Sequence, residues 1–71
     1  MSTAQVPVVV NGEPTVVAAG TTIAALVAAT VASPRGVAVA RNDAVVPRSR
    51  WEHETVSADD RIELLTAAQG G

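Results

Sequence analysis

The spacing of apolar positions changes period several times along the chain, and each change predicts an element. Residues 6–10 form a Val-rich run that ends in Asn11-Gly12. Asn-Gly is a strong hairpin signal because both residues tolerate positive φ. Residues 15–18 then supply the returning strand. Pro7 has no amide donor, which limits pairing at the start of the first strand. Gly20 breaks the pattern, and Thr21 or Thr22 can cap a helix through its hydroxyl. From Ile23 the large apolar residues fall at 23, 26, 27 and 31, with Thr30 on the same side. That is one face of a helix. Most intervening positions are Ala, the best helix former. Ser33-Pro34 stops the helix, because the residue before Pro is driven out of the helical region.

Gly36 opens a third strand in which Val37 and Val39 share a face. Asn42-Asp43 turns the chain into a short fourth strand, residues 44–46, and Pro47 ends it. The segment 47–57 has no regular alternation; Trp51, its one large apolar group, is expected to anchor it to the core. Asp59-Asp60 makes a turn before the last strand, residues 61–66, with Ile62 and Leu64 facing one way. Residues 67–71 carry no apolar period and are expected to form a mobile tail. The predicted organisation is thus a domain over 1–66 and a tail over 67–71.

One helix covers one face of such a sheet, giving a two-layer α+β domain. Alternation puts Val8, Val10, Val17, Val37, Val39, Ile62 and Leu64 beneath the helix, to meet Ile23, Leu26, Val27 and Val31. The opposite face carries Val9, Val16, Ala38, Ala40 and Leu65. An uncovered apolar patch of this kind on a small domain suggests partner docking.

Composition narrows the functional classes. The 71 residues make one small domain. With five Arg against seven acidic residues the net charge is −2, which gives no electrostatic footprint for nucleic acid. No apolar run is long enough to span a membrane, and the first ten residues carry no Lys or Arg, unlike a signal peptide. The absence of Cys excludes disulfides and thiolate metal sites and favours a reducing, cytoplasmic setting.

No catalytic constellation is visible. Glu52-His53-Glu54 are adjacent, and adjacent side chains rarely converge on one metal ion. Asp59 and Asp60 read as turn formers rather than an acid–base pair. The end of the sequence, Gln69-Gly70-Gly71, is different. A carboxylate is a poor acyl donor until a partner's active site encloses and activates it. Two residues without Cβ let the backbone pass a narrow tunnel and approach a nucleotide phosphate closely. Attack of the Gly71 carboxylate on the α-phosphate of ATP would give an acyl-adenylate open to sulfur or an amine.

The element order and the Gly-Gly end resemble ubiquitin-like β-grasp proteins. Closer still, V-V-V-N-G-E-P, A-x-G-T-T-I-A-A-L-V, A-V-A-R-N-D-A-V-V-P-R-S-R-W-E and D-D-R-I-E-L-L-T-A-A-Q-G-G together resemble the ThiS family of sulfur carriers in thiamine biosynthesis. The resemblance runs from about Val6 to Gly71. Its most specific pieces are Asn42, Val46-Pro47-Arg48, Trp51, Arg61-Ile62 and Gln69-Gly70-Gly71. Two positions depart from the family pattern. Arg41 stands where an apolar residue is usual, and Ala68 where a larger aliphatic is commoner; both are expected to weaken apolar contact near the tail.

The resemblance implies a sheet in the order 2-1-5-3-4, with the last strand parallel to the first. It implies a protein co-substrate rather than an enzyme, monomeric when free and binding no cofactor itself. An adenylating enzyme would use ATP to activate Gly71, with Gly70 and Gln69 giving access. A sulfur donor, a cysteine desulfurase or similar persulfide source, would convert Gly71 to a thiocarboxylate, and thiazole synthase would take that sulfur. Other readings are a sulfur carrier of the molybdopterin synthase small-subunit type, a protein modifier joined through Gly71, and a plain interaction domain. The first of these is typically longer and lacks V-P-R-x-x-W.

Overall fold

Two turns of the same kind shape the sheet. Asn11 and Gly12 have φ of 50° and 82°, and Asn42 and Asp43 have φ of 51° and 73°. Positive φ at both central residues is the geometry of a two-residue type I′ hairpin, whose twist matches that of the flanking strands. In the computed structural model, which describes residues 4–66, these turns join β1 (Gln5–Val10) to β2 (Glu13–Ala18) and β3 (Val37–Arg41) to β4 (Ala44–Val46). The helix α1 (Ile23–Thr30) lies between the hairpins in sequence, and β5 (Arg61–Thr66) follows a single 3-10 turn at Arg48–Arg50. The expected tail, including Gln69, Gly70 and Gly71, lies outside the described residues.

The sheet order is β2-β1-β5-β3-β4. β5 runs parallel to β1 and antiparallel to β3. The last strand therefore enters the middle of the sheet between the two hairpins, as the resemblance implied. Pairing of Val10 with Glu13 across the first turn starts β2 two residues earlier than the apolar pattern indicated.

The helix begins where expected and ends early. Thr22 is its N-cap, its hydroxyl accepting from the Ala25 amide at 3.0 Å. Val31 is already extended, with φ −121° and ψ 152°, so the helix stops three residues before Pro34. At its last residue, the Thr30 hydroxyl donates back to the Leu26 carbonyl at 2.7 Å. Hydrogen bonding of this kind competes with helical continuation.

The core matches the alternation read from the sequence and adds three groups to it. Val8, Val10, Val39, Ile62 and Leu64 from the sheet meet Ile23, Leu26 and Val27 from the helix, and all are buried. Val17, Val31 and Val37 are half-buried against this cluster. Val46, Trp51 and Val56 complete it. Trp51 is buried, and its indole Nε1 donates to the Val46 carbonyl at 3.0 Å. Trp51 is thus the anchor that the sequence suggested for the 47–57 segment.

That segment also caps the helix. The Ile23 amide donates to the Glu54 carbonyl at 2.9 Å and the Ala24 amide to the Trp51 carbonyl at 3.0 Å. Thr22 accepts from the next two, Ala25 through its hydroxyl and Leu26 through its carbonyl. The Leu26 bond is the first of the helix itself; the amides of its first three residues, Ile23, Ala24 and Ala25, which lack intrahelical partners, are all satisfied.

Candidate functional site

β5 is the last described strand and leads toward Gly71, and two asparagines fix it, one at its start and one nearer its end. Asn42 holds its start. The Asn42 amide donates to the Arg61 carbonyl, its Oδ1 accepts from the Arg61 amide at 2.8 Å, and its Nδ2 donates to Asp60 Oδ1 at 3.0 Å. Asn11 holds it further on, donating from its amide to the Ile62 carbonyl at 2.9 Å and accepting from the Leu64 amide at 2.8 Å. Each I′ turn therefore lends its Asn side chain to the strand that leads to the terminus.

Asp60 is the one charged side chain buried among the described residues. Its Oδ2 lies 2.8 Å from the Arg41 guanidinium and accepts from the Ser57 amide at 2.7 Å. Arg41 also reaches Glu54 at 3.2 Å, and Arg50 meets the same carboxylate at 2.9 Å. This network corrects the expectation for Arg41. It pairs opposite Ile62 near the start of β5, whereas β5 ends at Thr66 opposite Val37. Four strand residues place Arg41 about 13 Å from the end of β5. Arg41 therefore takes nothing from apolar packing beside Thr66; it ties β3 to the 54–60 segment. Glu52-His53-Glu54 does not act as a cluster, since Glu54 is committed to two arginines. Asp59 and Asp60 form the expected turn, with Asp59 at φ 70°.

Burial pushes the Asp60 carboxyl up, but hydrogen bonds from Ser57 and Asn42 and the charge and hydrogen bond of Arg41 outweigh it and hold the carboxyl below its ordinary value. A depressed folded value means that Asp60 stabilises the fold fully above the unfolded carboxylate value of about 3.9. That contribution is lost as pH falls through the lower folded value. Asp60→Asn is expected to cost about 1.5–3 kcal/mol at pH 7, the range for hydrogen bonds to charged groups. Urea unfolding at pH 7 and pH 3 checks this: the gap between wild type and variant should narrow at the lower pH. A gap independent of pH would mean that the Asp60 charge is not what stabilises the turn.

The five residues expected on the open face all lie there. Val16 and Leu65 are 59% and 67% exposed, Ala38 is exposed, and Val9 and Ala40 are half-buried by their neighbours. The same face holds Val45, 77% exposed and paired opposite Ala40, which the three-residue strand gave no alternation to reveal. β5 interrupts the apolar surface. Arg61 pairs opposite Val9 and Glu63 opposite Ala40, so a polar ridge separates Val9 and Val16 from Ala38, Ala40, Val45 and Leu65. Arg61 is bridged to Asp43 at 2.9 Å, and the Arg61 hydrogen bond and charge hold the Asp43 carboxyl below its usual value. Both partners are exposed, so this pair adds little to stability.

The helix side offers an open groove of about 430 Å³, lined by Ala24, Val27, Ala28, Pro34 and Trp51 with Arg48, Ser49 and Glu52. Arg48 stacks over the Trp51 ring at 4.9 Å and donates to the Pro34 carbonyl at 3.0 Å. Its guanidinium is thus occupied in holding the groove wall. Among the described residues no group of three His, Asp or Glu side chains is placed to hold a metal, and no helix is long and apolar enough to cross a membrane.

A scan of family models matches the ThiS family over residues 5–71. The chain belongs to the ThiS family. The match spans both Asn-bearing turns, β5 and the Gln69-Gly70-Gly71 end. The chain is also similar to a crystal structure of the thiamine biosynthesis protein ThiS from Geobacter metallireducens. Identity is 32%, the TM-score is 0.78, and the alignment covers 92% of this chain and 99% of that one. A third similarity is to a thiazole synthase from Magnetococcus marinus, 41% identical over 61 residues. Those residues are 86% of this chain but only 19% of that protein. The mixed sheet and single helix are those of a ThiS β-grasp fold. ThiS proteins are small sulfur carriers of thiamine biosynthesis, and the family assignment supports that broad role.

Proposed function

We propose that this ThiS-family chain carries sulfur on its C-terminal carboxylate and is the substrate of successive partner enzymes. The observation that carries the reading is a family match that continues past Thr66, the last described residue, through Gly70 and Gly71. An adenylating enzyme brings the Gly71 carboxylate against ATP. A carboxylate oxygen attacks the α-phosphorus, pyrophosphate leaves, and the acyl carbon becomes a mixed anhydride with AMP. The terminal sulfur of a persulfide donor then displaces AMP. A second thiol reduces the resulting acyl disulfide and frees the thiocarboxylate. Gly70 and Gln69 give the terminus access to these sites. The likeness to a segment of a thiazole synthase supports that enzyme as the acceptor of the sulfur. Intact-mass measurement of the protein isolated from cells tests the reading. The expected species has one terminal oxygen exchanged for sulfur. Recovery solely as a conjugate to other proteins would favour a modifier instead.

The open sheet face is the docking surface in this proposal. Val9, Val16, Ala38, Ala40 and Leu65 supply its apolar contacts, and Val45 extends it. Arg61 and Glu63 form a charged ridge that gives register to the partner. Leu65→Asp places a charge where the surface adjoins the end of β5. It should leave thermal stability within the small range of surface changes, about 0.5 kcal/mol. It should also raise the KM for the carrier in ATP–pyrophosphate exchange about tenfold or more, as truncating an interface anchor does. An unchanged KM would remove Leu65 from the interface.

A further inference from the structure

We propose that Asn11 is a positioning residue for the C-terminal tail: it fixes the last doubly held residue of β5, and so the point from which Gly71 is delivered. The inference rests on the sulfur-carrier reading, because it concerns how the terminus of such a carrier reaches a partner's active site.

The hydrogen bonds between β1 and β5 lead to it. The Val9 amide donates to the Asp60 carbonyl and the Asn11 amide to the Ile62 carbonyl, both at 2.9 Å. The next acceptor in this parallel ladder would serve the Leu64 amide. By register that acceptor is the Asn11 carbonyl, but Asn11 has already left the strand at φ 50° to enter the turn. Asn11 Oδ1 takes that place at 2.8 Å. One residue at positive φ thus closes the hairpin and also adds a rung to the parallel ladder. Beyond Leu64, β5 is paired on one side alone, Leu65 with Ala38 and Thr66 with Val37. The Leu64 side chain is buried, whereas Leu65 and Thr66 are exposed. Among the described residues of β5, Leu64 is therefore the last held by two neighbours and by the core.

Six residues separate Leu64 from Gly71. If Leu64 loses its outer partner, the next residue held on both sides is Ile62, and the segment that must be ordered in a partner's active site lengthens. Glu63 and Leu64 keep their β3 partners, so ordering the two together costs about what one free backbone does, about a tenfold loss in the seated fraction. Docking through the open face is untouched, so the loss falls on turnover and not on KM. Asn42 makes comparable side-chain bonds to β5, but at its start and far from the end, so it provides the contrast.

Asn11→Gly keeps the positive φ and removes the acceptor. In this variant the Leu64 amide is expected to exchange with solvent about tenfold faster. In ATP–pyrophosphate exchange with the adenylating enzyme, kcat should fall about tenfold at unchanged KM. Asn11→Asp, which retains both an acceptor oxygen and tolerance of positive φ, should restore both quantities. Asn42→Gly should lower the melting temperature while leaving kcat at the wild-type value. The proposal is overturned if Asn11→Gly keeps the wild-type kcat. It is equally overturned if Asn42→Gly loses as much turnover, or if Asn11→Asp does not recover it. A wild-type chain that the enzyme does not adenylate would instead bring down the sulfur-carrier reading, and this role with it. Unaltered Leu64 exchange in Asn11→Gly would refute the grip whatever the function.

Discussion

Removal of Gly71 is expected to abolish ATP–pyrophosphate exchange while leaving the thermal unfolding curve unchanged. The two halves of this expectation have separate causes. Among the described residues the core is self-contained: β5 ends at Thr66, and every buried core residue lies between Val8 and Leu64. In the proposed function, activity depends on the terminus reaching the α-phosphate of ATP. Truncation leaves the Gly70 carboxylate one residue short, about 3.5 Å, a distance that removes it from bonding range. Gly70→Val tests the steric part separately. It keeps the chain length and the carboxylate but adds a branched side chain to a backbone that must pass a narrow opening. Exchange should again be lost. Full exchange from the truncated protein would sink the sulfur-carrier proposal, while full exchange from Gly70→Val would remove only the requirement for a narrow opening.

The parts of the fold legible in the sequence are those with a local signature. Asn11-Gly12 and Asn42-Asp43 announce their turns because few residues tolerate positive φ. Ile23, Leu26 and Val27 announce the helix face through their period, and the open face follows from the same alternation that places Ile62 and Leu64 inside. The helix cap from Trp51 and Glu54 was not legible, because backbone carbonyls carry no residue signature. Val46 ends a strand of three residues, too short to show an alternation, and Val56 is a single apolar group in irregular surroundings, so no period marks either as core. Arg41 was misplaced relative to the end of β5. Its partner Asp60 is 19 residues away in sequence, and only the register of β3 against β5 shows which end of the strand it occupies. For the candidate site, Gly70-Gly71 stood out by composition and position. The second role of Asn11 did not, since its bond to Leu64 spans 53 residues.

Leu26→Ala is expected to be the most damaging single change to the fold. Leu26 is 4% exposed and sits at the centre of the short helix, in the cluster that joins both hairpins through β5. Large-to-small changes at such sites cost about 2–5 kcal/mol, the sum of lost transfer energy and the cavity left behind. Two features push this site toward the upper end. The helix has only eight residues, well below the roughly 12–15 at which an isolated helix becomes stable in water, so packing of its apolar face is what keeps it formed. Its amides are also the partners of the Trp51 and Glu54 carbonyls, so loosening the helix releases the 47–57 segment with it. Stability of about 0.05–0.15 kcal/mol per residue gives a domain of this size little beyond the cost of the substitution. The melting temperature should fall by about 10 °C or more, and the near-ultraviolet signal of Trp51 should be lost in the same transition. Val16→Ala on the open face is the control, with an expected change within about 0.5 kcal/mol. Comparable losses from the two variants would mean that the helix does not supply the central contacts of the core.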